Sequence, residues 1–163
     1  MANMKDLRGC SITTDPAATD AISRFWACLT PVYDVERFGV VNTGDPMQAD
    51  IFLITGGINT QNQAVVRQLY EQMPKPKVVV AVGVCACTGG VFKDCYNILG
   101  GVDTTIPVDI YVPGCAARPQ AIIDGVVKAV ELFQKRADEY DALTRKEKRQ
   151  EREGKTDGGS DLS

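Results

Sequence analysis

Residues 77–84 read KVVVAVGV, and a run that is apolar at nearly every position fits a strand covered on both of its faces. Shorter apolar runs at 37–41, 51–55 and 106–112 repeat the pattern, the second set between Asp50 and Gly56 and the third stopped by Pro113. Helical spacing separates them. Asp15-Pro16 reads as an N-cap and first helical residue ahead of Ile22, Phe25, Trp26 and Leu29, a helix that stops before Pro31. Val65, Val66, Leu69 and Tyr70 share one helical face up to Pro74, and Arg118-Pro119 opens a long helix through Ile122, Val126 and Val130. Strands alternating with helices imply parallel pairing and right-handed crossovers. The expected fold is α/β, an open parallel sheet of about four strands with helices on both faces.

In such a sheet the carboxyl ends of all strands lie on one edge, which is where ligands bind. Gly56-Gly57, the turn VGVCACTGG around Cys85, and the turn YVPGCAARP around Cys115 should therefore face the same side. Glycines there let the backbone approach a bulky inorganic group and aim amides at it, so Gly56, Gly89 and Gly114 are the candidate cofactor-contacting positions. No G-x-x-x-x-G-K-[ST] or G-x-G-x-x-G signature accompanies the double glycine.

The chain has no histidine, which removes any Ser-His or Cys-His nucleophile from its own residues. It has six cysteines, at 10, 28, 85, 87, 95 and 115, and a cysteine set in a chain expected in the cytoplasm more often binds metal than forms disulfides. Free cysteine is also among the most buried residue types, and Cys28 and Cys95, within helical segments, are expected in the core. A net charge of -3 offers no field for a phosphate backbone, so nucleic acid is not an expected ligand. The 163 residues and 44% apolar content allow one core. The expected division is an atypical N-terminal segment at 1–15, the α/β domain at 16–134, and a charged helical extension with a disordered tail at 135–163.

Four stretches carry a resemblance to a known family: TPVYDVERFG at 30–39, ADIFLITGG at 49–57, LYEQMPKPKVVVAVGVCACTGGVF at 69–92, and GGVDTTIPVDIYVPGCAARP at 100–119. Together they resemble the small, cluster-bearing subunit of energy-converting membrane-bound [NiFe] hydrogenases and its relative in respiratory complex I. The resemblance implies a flavodoxin-like α/β domain carrying one [4Fe–4S] cluster near the interface with a large [NiFe]-hydrogenase-like subunit, further partners in a ferredoxin-like iron–sulfur subunit and membrane subunits, and a place on the inner face of the cell membrane. It also implies an electron-relay role, with catalysis residing in the large subunit. Tyr33, Asp34, Glu36 and Arg37 match a family segment that braces the partner; as composition alone they read as a solvated turn.

By motif, the family's ligands carry over to Cys85 and Cys115. The remaining pair, Cys-x-x-Cys in hydrogenase relatives, falls on Ala18 and Ala21, and alanine does not ligate iron. The preceding segment, MANMKDLRGCSITT, has little of the family's strand character, and the double proline after the last ligand is Ala116-Ala117. Two expectations follow. In one, Cys10, in a loop before the same helix, replaces part of the lost pair and Cys87, Asp15 or Asp20 completes the site. In the other, the subunit keeps the fold and docking surface without a cluster. A flavin bound at the same edge is a third reading. Asp109, within a strand that is otherwise apolar, is expected to be structural, because a buried carboxylate needs a partner.

Overall fold

The computed structural model describes residues 10–14, 19–40, 42–43 and 45–154. Along the chain run β1 (Cys10–Thr14), α1 (Thr19–Cys28), β2 (Asn42–Thr43), β3 (Ile51–Thr55), β4 (Ile58–Asn59), α2 (Asn62–Gln72), β5 (Val78–Val82), α3 (Val84–Thr88), β6 (Ile98–Gly100), β7 (Ile110–Val112) and α4 (Pro119–Gly154). The strands β2, β1, β3, β5 and β7 form one parallel sheet in that order, while β4 and β6 pair antiparallel beside it. Counted along the chain within the large sheet, this is the 2-1-3-4-5 order of flavodoxin-like folds.

Two features differ from the sequence expectation. The large sheet has five strands rather than about four, because the polar CSITT segment pairs with β3 along its whole length. Its Ile and Thr residues are β-branched, and backbone pairing on both sides supplies what the composition lacks. The expected strand at 37–41 is instead a 3-10 turn, Val35–Phe38, closed by Asp34 and Gly39 in left-handed conformations at φ 43° and 78°. The strand follows it, at Asn42–Thr43.

Alternation in the central strands builds two cores. Ile51, Leu53, Val78, Val80 and Val82 face α1 and α4, meeting Phe25, Cys28, Ile122, Val126 and Phe133. Phe52, Ile54, Val79 and Ala81 face the opposite side, meeting Val66, Met73, Ala86 and Val102. The apolar character of 77–84 thus comes from burial on both faces. On α1 the buried stripe runs through Phe25 and Cys28, three residues apart, with Leu29 packed against it, whereas Trp26 is turned outward and exposed.

The Cys28 thiol donates to Arg24 O at 3.3 Å and to Pro119 O at 3.6 Å, fastening α1 to the start of α4. Burial pushes this thiol up from 9.0 to about 11, partly offset by a backbone hydrogen bond. The unfolded chain ionises near the lower value and the folded one near the higher. The stability contribution is therefore complete below pH 9 and lost as pH rises toward about 11, by up to ~2 kcal/mol. Urea midpoints compared at about pH 8 and about pH 10.5 should fall less for Cys28→Ala than for the parent.

Asp109 stands just ahead of β7 and has the partners its position demands. Its Oδ2 accepts from Val79 N at 2.9 Å and from Arg136 Nη1 at 2.9 Å, and its Oδ1 accepts from Arg136 Nη2. Arg136 Nη1 also donates to Lys77 O at 2.8 Å, so one guanidinium joins α4 to the start of β5. The Asp109 hydrogen bond raises the Arg136 pKa further. Asp109→Ala should lower unfolding free energy by ~2 kcal/mol, since it strands both the Val79 amide and the guanidinium. A double-mutant cycle with Arg136→Ala in urea should give coupling near ~1 kcal/mol.

Pro119 opens α4, whose 36 residues reach well past its packed portion. Tyr140 and Leu143 are exposed beyond that portion. No helix among the described residues is long and apolar enough to cross a membrane.

Candidate metal centre at the sheet edge

The carboxyl ends of β5 and β7 are tied together by two backbone hydrogen bonds. Gly83 N donates to Val112 O at 2.8 Å, and Val84 N donates to Gly114 O at 3.1 Å. These bonds set the loops bearing Cys85 and Cys115 side by side at one edge. Gly83 leaves the strand at φ 90° and α3 begins at once, placing Cys85 in its first turn. The Cys85 thiol is half-buried and that of Cys115 exposed. Burial raises the Cys85 pKa, and the neighbouring Cys115 thiol raises it further.

Glycines shape this edge. A Cβ on Gly90 would stand 3.0 Å from Cys85 Sγ, at a φ of +57°. Gly90, which the motif pattern does not single out, is thus the glycine against the thiol, while Gly89 caps α3 by donating to Cys85 O at 2.9 Å and packs on Gly100. Gly114 has φ +149°, and its Cβ would meet Ala117 Cα at 2.6 Å. Gly56 is at φ +90° where β3 ends, with Gly57 near Cys85 O. The double glycine after residue 88 was visible in the sequence, but only the close approach to sulfur separates the two roles.

The other candidates lie elsewhere. Cys10 begins β1 rather than lying in a loop, and its register partner is Ile51, at the amino edge of the sheet. Four residues at ~3.3 Å put it roughly 13 Å back from Thr14, which is level with Thr55 and Val82. Cys87 is turned toward the sheet, with Sγ 3.8 Å from Ala81 O, and packs against the second core. Burial raises its pKa most, as for a thiol held in the interior. Cys28 is in the core, as expected, but Cys95 is exposed, because residues 93–97 form turns instead of a helix. Ala18 lies outside the described residues, as does Asp15. Among the described residues, no three His, Cys, Asp or Glu side chains gather in a geometry that would hold a metal ion.

The architecture is that of a flavodoxin-like α/β domain with two cysteine loops on the ligand-binding edge of its sheet. The family model for the 20 Kd subunit of NADH ubiquinone oxidoreductase matches residues 8–129, and the chain belongs to that family. It is 49% identical over 109 residues to a probable membrane-bound hydrogenase subunit, mbhJ, of Pyrococcus furiosus, covering 67% of this chain and 65% of that one. It is 47% identical over 96 residues to an NADH-quinone oxidoreductase subunit of Geotalea daltonii, covering 59% of this chain and 56% of the relative. The chain thus spans little more than half the length of that relative.

Among solved structures, a chain of the membrane-bound sulfane sulfur reductase, an archaeal respiratory membrane complex, superposes with a TM-score of 0.69 at 35% identity, over 78% of this chain and 72% of that one. The [NiFeSe] hydrogenase of Desulfovibrio vulgaris Hildenborough superposes with a TM-score of 0.57 at 15% identity, over 82% and 63%, a likeness of fold alone.

Members of this family generally bind a [4Fe–4S] cluster. Such a cubane is held by four protein ligands, usually thiolates. Among the described residues, the present edge brings together two, Cys85 and Cys115, with a glycine cradle beside one of them. The donor set therefore does not fit the whole group.

Proposed function

We propose that this chain occupies the position of the electron-transfer small subunit in a membrane-associated, energy-converting [NiFe]-hydrogenase-like complex. The observation that carries the reading is the convergence of the Cys85 and Cys115 loops on one sheet edge in a chain of this family. That edge would face a large catalytic subunit, with a ferredoxin-like iron–sulfur subunit and membrane subunits completing the assembly at the inner face of the membrane. Val91, Phe92 and Tyr96, all exposed on the segment following the Cys85 loop, would extend the contact. Large exposed apolar groups in one short segment favour burial against another protein.

The 47% identity to a quinone-oxidoreductase subunit favours a second reading, a complex I-like assembly. Affinity purification of the tagged chain from its source, followed by mass spectrometry and metal analysis, tests both. A nickel-containing large subunit is the expected partner. A large subunit without nickel would select the second reading, and purification of the chain without any large subunit would sink both.

A further inference from the structure

We infer that a protein of this sequence does not assemble the family's [4Fe–4S] cluster: its sheet edge keeps Cys85 and Cys115, and the chain has alanine at 18 and 21, where the other two ligands belong. This rests on the family membership behind the proposed function but does not require the proposed partner.

The chain's possible donors can be taken one by one. Of the six cysteines, Cys85 and Cys115 are at the edge. Cys10 starts β1 at the far end of the sheet, and within one strand it has no freedom to swing across. Cys28 is fully buried and donates to two carbonyls at the α1–α4 contact. Cys87 faces the Ala81 carbonyl and the second core; turning it outward would unwind α3, whose Cys87 N donates to Gly83 O at 3.0 Å. Cys95 is held in the turn that leads into β6, with its amide donating to Phe92 O and its carbonyl accepting from Ile98 N. The sequence contains no histidine. The stretch at 15–21, Asp-Pro-Ala-Ala-Thr-Asp-Ala, offers the two carboxylates of Asp15 and Asp20 and no thiol. A hard carboxylate oxygen is a poor substitute for thiolate at a sulfide-bridged iron centre.

The rest of the site survives. Gly90 still leaves open the space beside Cys85 Sγ, and Gly114 still lets the Cys115 loop fold tightly over Ala117. The deficit is local to one stretch of chain.

The test uses the full chain purified anaerobically together with its large subunit. Iron, acid-labile sulfide and the paramagnetic resonance spectrum of the reduced complex are compared with those of Cys85→Ser/Cys115→Ser. The expected result is no change in any of the three. Loss of about four irons per chain, with the matching signal, would overturn the inference. Ala18→Cys/Ala21→Cys provides the converse: a gain of about four irons and a new signal is expected, and no gain would overturn the assignment of the deficit to these positions. Retention of the large subunit reads out the proposed function separately, so its failure is not confused with that of the inference.

The genetic code adds a third arm. Alanine is encoded GCN, so a frame displaced by one base reads TGC, cysteine, at both positions wherever T precedes, with the Cys-x-x-Cys spacing kept. Peptide mapping of the protein made from its own gene decides this. Alanine at both positions upholds the inference, and cysteine at both overturns it for the natural protein.

Discussion

Phe52→Ala is expected to lower the unfolding free energy of the chain by about 3–5 kcal/mol, a large fraction of the total stability of a domain this size. Phe52 is 1% exposed at the second position of β3 and shares its core with Ile54, Val66, Val79 and Ala86. Deleting the ring removes its transfer free energy and leaves a cavity that two sheet strands and two helices are too constrained to collapse. The effect should reach the cysteine edge, because Ala86 anchors α3 immediately after Cys85. Urea unfolding measures the loss, and Val65→Ala provides the control. Val65 is 53% exposed on α2, and its truncation should change stability by no more than about 0.5 kcal/mol. Equal losses at the two positions would show that the core is not where the structure puts it.

Gly114→Ala should cost about 3 kcal/mol, from two sources that add. A Cβ there would stand 2.6 Å from Ala117 Cα and 3.0 Å from Ala117 N, and its φ of +149° strains an L side chain. Neither neighbour is the end of a flexible side chain, so relief requires the backbone of the Cys115 loop to move. Moving it breaks the hydrogen bond from Val84 N to Gly114 O that sets the two cysteine loops together. A lower urea midpoint should therefore accompany faster alkylation of Cys85, whose half-buried thiol loses its cover. A variant of unchanged stability and reactivity would mean that the two loops are not mechanically joined.

The edge of the sheet was legible from sequence because its determinants are local. Apolar runs at 51–55 and 78–82, each followed directly by a glycine, identify strand ends, and parallel topology then places those ends together. The Cys85 and Cys115 loops met as that reasoning requires, and Asp109 found the partner its burial demanded, although nothing local pointed to Arg136, 27 residues away. The misplaced elements have equally physical causes. Residues 37–41 have strand-like composition, but the left-handed Asp34 and Gly39 close a turn across them. The segment CSITT has little apolar signal, because pairing along β3 holds it in the sheet. Trp26 fits a helical stripe one residue out of phase with the one that is buried.

The sequence by itself determined the class of fold, the family and the two cysteine-bearing loops that meet at the sheet edge, since each is written in short-range pattern: period, glycine and proline punctuation, and motif. It also has alanine at 18 and 21, where the family resemblance puts the other two ligands. Only the tertiary structure decided where the chain's other thiols lie relative to that edge. Cys10 and Cys87 are near in sequence to the right turns, but strand register carries one to the opposite edge and the helical start of α3 turns the other inward. Ligation depends on where a sulfur points, and that is set by hydrogen bonds between segments far apart in the chain.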